Sequence, residues 1–229
     1  MLIPRALLVP HLPTLLEDEH RRHHTPMLEA LALEARRLAA ERPAIVVVVT
    51  ARWESGASLH VDTGRFHWTL TDDPAFGVET RYDCPGHPAL ARALVDAGVK
   101  GGLRVGPSER GVDGGVSVPM HFLVPAHRLP IVPVSVARRP VEECRQWGAV
   151  IRQVVERRPE RIALVVGGML SRASHAWKFR RDVPEAGLLD QAVLEALAGG
   201  HWSEVAPAAA LWAERAQPEA GLLHLEVLR

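Results

Sequence analysis

The sequence predicts an α/β fold, layered α/β/α around a largely parallel or mixed central sheet, and three observations predict it. Short apolar runs rich in β-branched residues alternate with stretches whose apolar residues recur at helical spacing. Two of those runs, residues 45–49 and 162–166, contain no polar residue, the pattern of strands covered on both faces. At 229 residues, 47% of them hydrophobic and 24% charged, the chain is long and apolar enough to bury a core without disulfide or metal staples.

Taken in order, residues 6–9 read as the first strand. Leu28, Leu31, Ala35 and Leu38 share one helical face, and Pro43 ends that helix before the strand at residues 45–49. Residues 59–61 and 66–70 alternate apolar and polar, so they are expected as a hairpin or as edge strands. Leu90, Ala91, Leu94 and Val95 mark a helix that ends near Gly98. A buried strand at residues 131–136 follows, then a helix with the stripe Cys144, Trp147, Ile151 and Val154, stopped by Pro159. Glu41-Arg42-Pro43 before one long apolar strand is echoed by Arg157-Arg158-Pro159 before the other, which suggests equivalent positions in the sheet. Leu188, Leu189, Ala192 and Val193 begin a further helix, residues 202–212 give another, and residues 222–228 are expected to close as a terminal strand. No linker or low-complexity tract divides residues 1–229, so one domain is expected.

Composition excludes several function classes. The 27 basic and 27 acidic residues cancel, and no basic stripe offers the field that a nucleic-acid binder needs. Cys84 and Cys144 lack disulfide-framework or zinc-site spacing and read as reduced thiols. The first ten residues are broken by Pro4 and Pro10 and carry no cleavage site, and no apolar run approaches a membrane span. A cytoplasmic protein without nucleic-acid or membrane partners is therefore expected, with homo-oligomerisation left open. Lys100 and Lys178 are the only lysines and asparagine is absent, a bias that GC-rich coding or a hot habitat would each produce. Gly167-Gly168 lacks the spacing of a dinucleotide fingerprint, and neither a Gly-x-Ser-x-Gly element nor a phosphate loop occurs. Most of the six tryptophans, spread along the chain, are read as packing residues.

In open α/β sheets, ligands collect outside the carboxyl ends of the strands, so residues just past each strand carry the functional reading. Three polar side chains stand there: His11 within Pro10-His11-Leu12-Pro13, Arg52 within Thr50-Ala51-Arg52-Trp53-Glu54, and Arg172 within Gly167-Gly168-Met169-Leu170-Ser171-Arg172. Parallel strands would turn all three into one cleft. His20, His23 and His24 sit among Glu17, Asp18, Glu19, Arg21 and Arg22, which reads as the solvated start of a helix rather than a metal site.

These segments resemble the class III extradiol ring-cleavage dioxygenases, the superfamily of the protocatechuate 4,5-dioxygenase catalytic subunit and the DOPA-dioxygenase-like enzymes. Pro10-His11-Leu12-Pro13 is similar to the family's Pro/Ser-His-x-x-Pro element, and residues 42–54 to its Pro-x-x-Ile-Val strand ending in Ser-Ala-His-Trp-Glu. Residues 72–77 and 81–91 resemble Asp-Phe-x-Gly and Tyr-x-x-Pro-Gly-x-Pro-x-Leu-Ala, and residues 110–120 resemble Arg-Gly-x-Asp-His-Gly-x-x-x-Pro-Leu, with Pro130-Ile131-Val132-Pro133-Val134-Ser135 after them. The resemblance implies a LigB-like fold along most of the chain. It also implies a ferrous ion held by two histidines and a late carboxylate, with a further histidine as acid/base. His11 matches the first metal histidine, and Glu219 or Glu226 the carboxylate. Arg52 stands where the second metal histidine is expected, Arg172 where the acid/base histidine is expected, and Gly114 where the Asp-His-Gly histidine is expected. A guanidinium offers iron no lone pair and no base near neutrality.

The resemblance with these substitutions implies a family member whose iron-dependent ring opening is lost or altered. On that reading no cofactor is bound, and Arg52, Arg172 and His11 line a site for a small anionic or aromatic molecule. The plainer alternative is that Arg52 and Arg172 only pair with local carboxylates such as Glu54 or Glu219. A second reading keeps an active enzyme on a catechol, with Fe(II) or Zn(II) on His11, a carboxylate and a displaced histidine such as His121 or His175. A third makes the chain a non-catalytic assembly protein.

Overall fold

The computed structural model describes residues 2–70, 80–172 and 181–229, the side chains of Leu2, Pro4 and Arg5 excepted. Six strands form the main sheet: β1 (Leu2–Val9), β2 (Ile45–Ser55), β3 (Leu59–Asp62), β6 (Val105–Ser108), β7 (Ile131–Ala137) and β8 (Ile162–Gly167). Their order is β1-β8-β2-β7-β3-β6. The first four run parallel, β3 is antiparallel to β7, and β6 is parallel to β3, so the sheet is mixed. The two polar-free runs are adjacent strands in register, Ile45 opposite Ile162, with the Ala44 N–H donating to the Arg161 carbonyl at 2.7 Å. The echoed Arg-Pro approaches thus lead into neighbouring places in the sheet.

Side chains alternate across a strand, and β2 divides accordingly. Val47 and Val49 point into a core with α3 (Pro88–Lys100) and α5 (Val141–Glu156), centred on the fully buried Trp147. Val46 and Val48 point into the opposite core with α1 (Thr14–His20), α2 (Pro26–Ala40) and α4 (Gly114–Leu123). A third cluster joins α6 (Pro184–Ala198), α7 (Val205–Leu211) and α8 (Leu223–Leu228) through Leu189, Val193, Leu222 and Leu225.

Several expectations are corrected. Residues 222–228 form no strand; a 3-10 turn at Glu219–Leu222 leads into the helix α8. Residues 59–61 and 66–70 do not form a hairpin. Strand β3 lies inside the sheet, and β4 (Phe66–His67) pairs instead with β5 (Cys84–Pro85). Asp62 explains the divergence: its carboxylate accepts the N–H groups of Gly64, Arg110 and Gly111 at 2.8 to 2.9 Å, which turns the chain away from β3. His20 ends α1 rather than starting a helix, and His23 and His24 lie exposed in the turn before α2, with His23 on Asp18 at 3.0 Å. Trp68 is 62% exposed and packs in no core. Both cysteines are buried, and burial pushes their thiols up, Cys84 to about 12 and Cys144 to about 11.

Candidate functional site

The carboxyl ends of β1, β8 and β2 are neighbours, so the residues that follow them share one edge of the sheet. His11 comes two residues after β1. Arg52 lies where the β2–β7 register slips between Thr50 and Glu54, an irregularity of the kind that re-aims a side chain out of the ladder. Arg172 comes from the segment after β8, whose N–H donates to the Gln217 carbonyl at 2.9 Å. The Glu219 N–H returns to the Leu170 carbonyl at 2.9 Å, and this short bridge sets Arg172 beside Glu219. The chain there is left-handed at Gln217, Ala220, Gly221 and Leu222, a conformation only glycine adopts without cost. That turn reverses the chain between the bridge and α8.

His11, Arg52 and Arg172 all line one cleft of about 660 Å³. Strand-end residues give it polar groups, while Met27 of α2 and Ala186, Gly187 and Leu194 of α6 line it from the helices. At its base the buried His11 Nε2 lies 3.1 Å from Glu219 Oε1. The other carboxylate oxygen, Oε2, accepts the Met169 N–H at 2.7 Å. Arg172 Nη1 approaches Oε1 at 3.3 Å, so the local pairing foreseen for this arginine is present. Burial pushes the Glu219 carboxyl up, but the His11 imidazole and the Met169 N–H outweigh it and hold the group below its ordinary value.

His224 of α8 was not singled out by sequence. It is fully buried, neither ring nitrogen has a hydrogen-bond partner among the described residues, and a Cβ added to Gly168 would lie 2.6 Å from its ring. Burial pushes its pKa down to about 4, against the pull of Glu219, so the imidazole is neutral near pH 7. Arg181, Asp182 and Met27 were also missed, because α2 and α6 approach the cleft only in three dimensions. Ser171 is held by Asp190, which accepts its N–H at 2.9 Å and its hydroxyl at 3.1 Å.

The other sequence candidates lie elsewhere. Glu226 is buried against Arg145 of α5 at 2.8 Å and does not line the cleft. Glu54, anticipated as a partner for Arg52, is bonded by Arg138. His121 bonds Glu19 at 2.6 Å and Thr80 at 3.2 Å, away from His11. His175 falls outside the described residues. The segment from Arg110 stands behind the cleft rather than in it. Arg110 pairs with Asp113 at 2.6 Å, Asp113 caps α4, and a Cβ on Gly115 would meet Thr50 Oγ1 at 2.1 Å and Arg52 Cβ at 3.0 Å.

The family described as the catalytic LigB subunit of aromatic ring-opening dioxygenase matches residues 5–229. The chain belongs to the LigB family. A curated relative, 4,5-DOPA dioxygenase extradiol of Portulaca grandiflora, is 29% identical over 100 residues, which cover 42% of this chain and 36% of that protein. The LigB chain thus matches only about a third of that relative's length. The crystal structure of uncharacterized protein JW3007 from Escherichia coli K12 is similar in fold, with a TM-score of 0.67 and 22% identity over 97% of this chain and 87% of that one.

The LigB family implies iron, and the donor set here does not fit it. His11 and Glu219 supply two donors, but Arg172 already places a permanent cation on Glu219 Oε1, and Arg52, which lines the same cleft, offers a metal no lone pair. Among the described residues, no three His, Cys, Asp or Glu side chains converge as a metal site requires.

Proposed function

We propose that this LigB-family protein has lost iron-dependent ring opening and that its cleft binds a small anion through Arg52 and Arg172. The loss of iron is carried by the 3.3 Å approach of the Arg172 guanidinium to the buried Glu219, which brings a permanent charge to the carboxylate that the family's metal would use, and the anion reading by the guanidiniums of Arg52, Arg172 and Arg181 that line the cleft. One guanidinium offers five N–H donors in a rigid fork, so the contact with Glu219 leaves others for a ligand. Arg172 is 41% exposed, which gives a ligand access to it. Arg52 and Arg181 line the same cleft, so three guanidiniums among the described residues present donors to it.

Titration of the purified chain with sulfate, phosphate or acetate, followed calorimetrically and by thermal shift, tests the reading. Saturable binding is expected, weakened by sodium chloride because partly exposed charges are screened over about 8 Å at physiological salt. Arg52→Ala and Arg172→Ala are each expected to weaken it by roughly tenfold, the loss of one charge-assisted contact. Equal responses from the wild type and both variants would remove the anion site.

A further inference from the structure

We infer that the cleft's ligand is a monocarboxylic acid with a compact apolar body, a step that rests on the anion reading above and specifies the ligand class. The lining is two-sided. Strand ends and their loops present His11, Arg52 and Arg172, whereas the helices present Met27 from α2 and Ala186, Gly187 and Leu194 from α6. Leu8, Leu12, Leu170 and Val183 extend the apolar side. Met27 and Leu194 are 44% and 57% exposed, so two large apolar side chains face solvent at a cleft whose base is charged.

Size separates a bare anion from a substituted one. At about 660 Å³ the cleft lies within the usual range for organic ligands, and an inorganic anion would leave most of it, including the apolar side, in contact with water. Charge then selects the head group. Asp190 is committed to Ser171 through both oxygens, and Glu219 to His11, Arg172 and the Met169 N–H. Among the described residues the lining carries the guanidiniums of Arg52, Arg172 and Arg181 beside the carboxylates of Asp182 and Asp190, and each guanidinium presents several N–H donors in a fork that fits a carboxylate. A second observation points to a missing polar group: His11 Nδ1, buried on the side of the ring away from Glu219, has no hydrogen-bond partner among the described residues. A carboxylate at the arginine side meets these demands, and an alkyl or aryl body covers Met27 and Leu194. Each methylene so buried is worth roughly fourfold in affinity.

Calorimetric titration of the full chain at fixed ionic strength with acetate, 4-methylpentanoate, phenylacetate, sulfate and the neutral 4-methylpentanamide tests the inference. The two larger acids are expected to bind at least about thirtyfold more tightly than acetate, and the amide to lose most of that affinity. Met27→Ser with Leu194→Ser should reduce the ratio of 4-methylpentanoate to acetate affinity, and Arg52→Gln should weaken both acids. Because Met27 and Leu194 are exposed, serine there opens no core, and unchanged melting of the double variant without ligand checks this. Sulfate and acetate binding as tightly as the larger acids would overturn the inference while leaving the anion site intact. Equal affinity for acid and amide would overturn it by removing the charge from recognition. Binding of none of the probes would overturn both readings.

Discussion

His224 packs beneath Gly168, whose backbone lines the cleft. It is fully buried beside a backbone position that tolerates no side chain, since a Cβ on Gly168 would come within 2.6 Å of the ring. Its folded-state pKa of about 4 lies below the ordinary 6.5, so between these values the unfolded chain takes a proton that the folded chain refuses. The resulting stability is fully present above about pH 6.5 and is lost as pH falls towards 4, a swing on the order of 3 kcal/mol. Glu219, held below its ordinary 4.5, adds stability present above that value and lost as pH falls through its lowered folded value. Urea unfolding between pH 8 and pH 5 should therefore show stability declining with acid, and His224→Leu or His224→Asn should flatten the decline. An unchanged slope in both variants would contradict the assignment to this imidazole. His11, Arg52 and Arg172 were legible in the sequence because each follows an apolar run that could only be a buried strand. His224 was not, because it sits in Leu222-Leu223-His224-Leu225-Glu226-Val227-Leu228, where polar and apolar residues alternate as in a half-exposed strand.

At the scale of elements, that alternation misleads for a physical reason. Both polar residues of α8 are buried, Glu226 through its ion pair with Arg145 and His224 beneath Gly168, so polarity there does not mark the outward face. The helix α4 was hidden by Gly114, Gly115 and Pro119, although Asp113 caps it by accepting the Gly115 N–H at 2.9 Å. Strand β6 contains Gly106 and Pro107, which read as a turn, yet proline is tolerated on an edge strand and β6 is an edge. The long strands and the helices α2, α3, α5 and α6 were legible, because each has a clear period and a proline or glycine at its boundary. Close approach of α5 to α8 gives an element-scale test. A Cβ on Gly148 would lie 2.0 Å from the Val227 carbonyl oxygen, whereas one on Gly187 in α6 would meet nothing within 4 Å. Gly148→Ala should cost roughly 1–3 kcal/mol through overpacking, and Gly187→Ala should stabilise by about 0.5–1 kcal/mol through helix propensity. Denaturant titrations giving the two variants the same sign would contradict this packing of α5 on α8.

Across the whole molecule, one mixed sheet serves two cores, and its carboxyl edge carries the cleft under α2 and α6. The LigB family match spans residues 5–229, so the framework that places the strand-end side chains is that of the family. Changes at strand ends leave the buried strands untouched, which is why fold and site can part company in a single lineage. No helix among the described residues is long and apolar enough to cross a membrane. The proposed displacement of iron chemistry at His11 and Glu219 by Arg172 and Arg52 is a property of the whole chain. The most direct measurement is metal analysis after anaerobic loading with ferrous iron and desalting, with oxygen uptake recorded on adding a catechol. No stoichiometric iron and no oxygen consumption are expected. One tightly held ferrous ion per chain, with catechol-dependent oxygen uptake that disappears in His11→Ala, would contradict it.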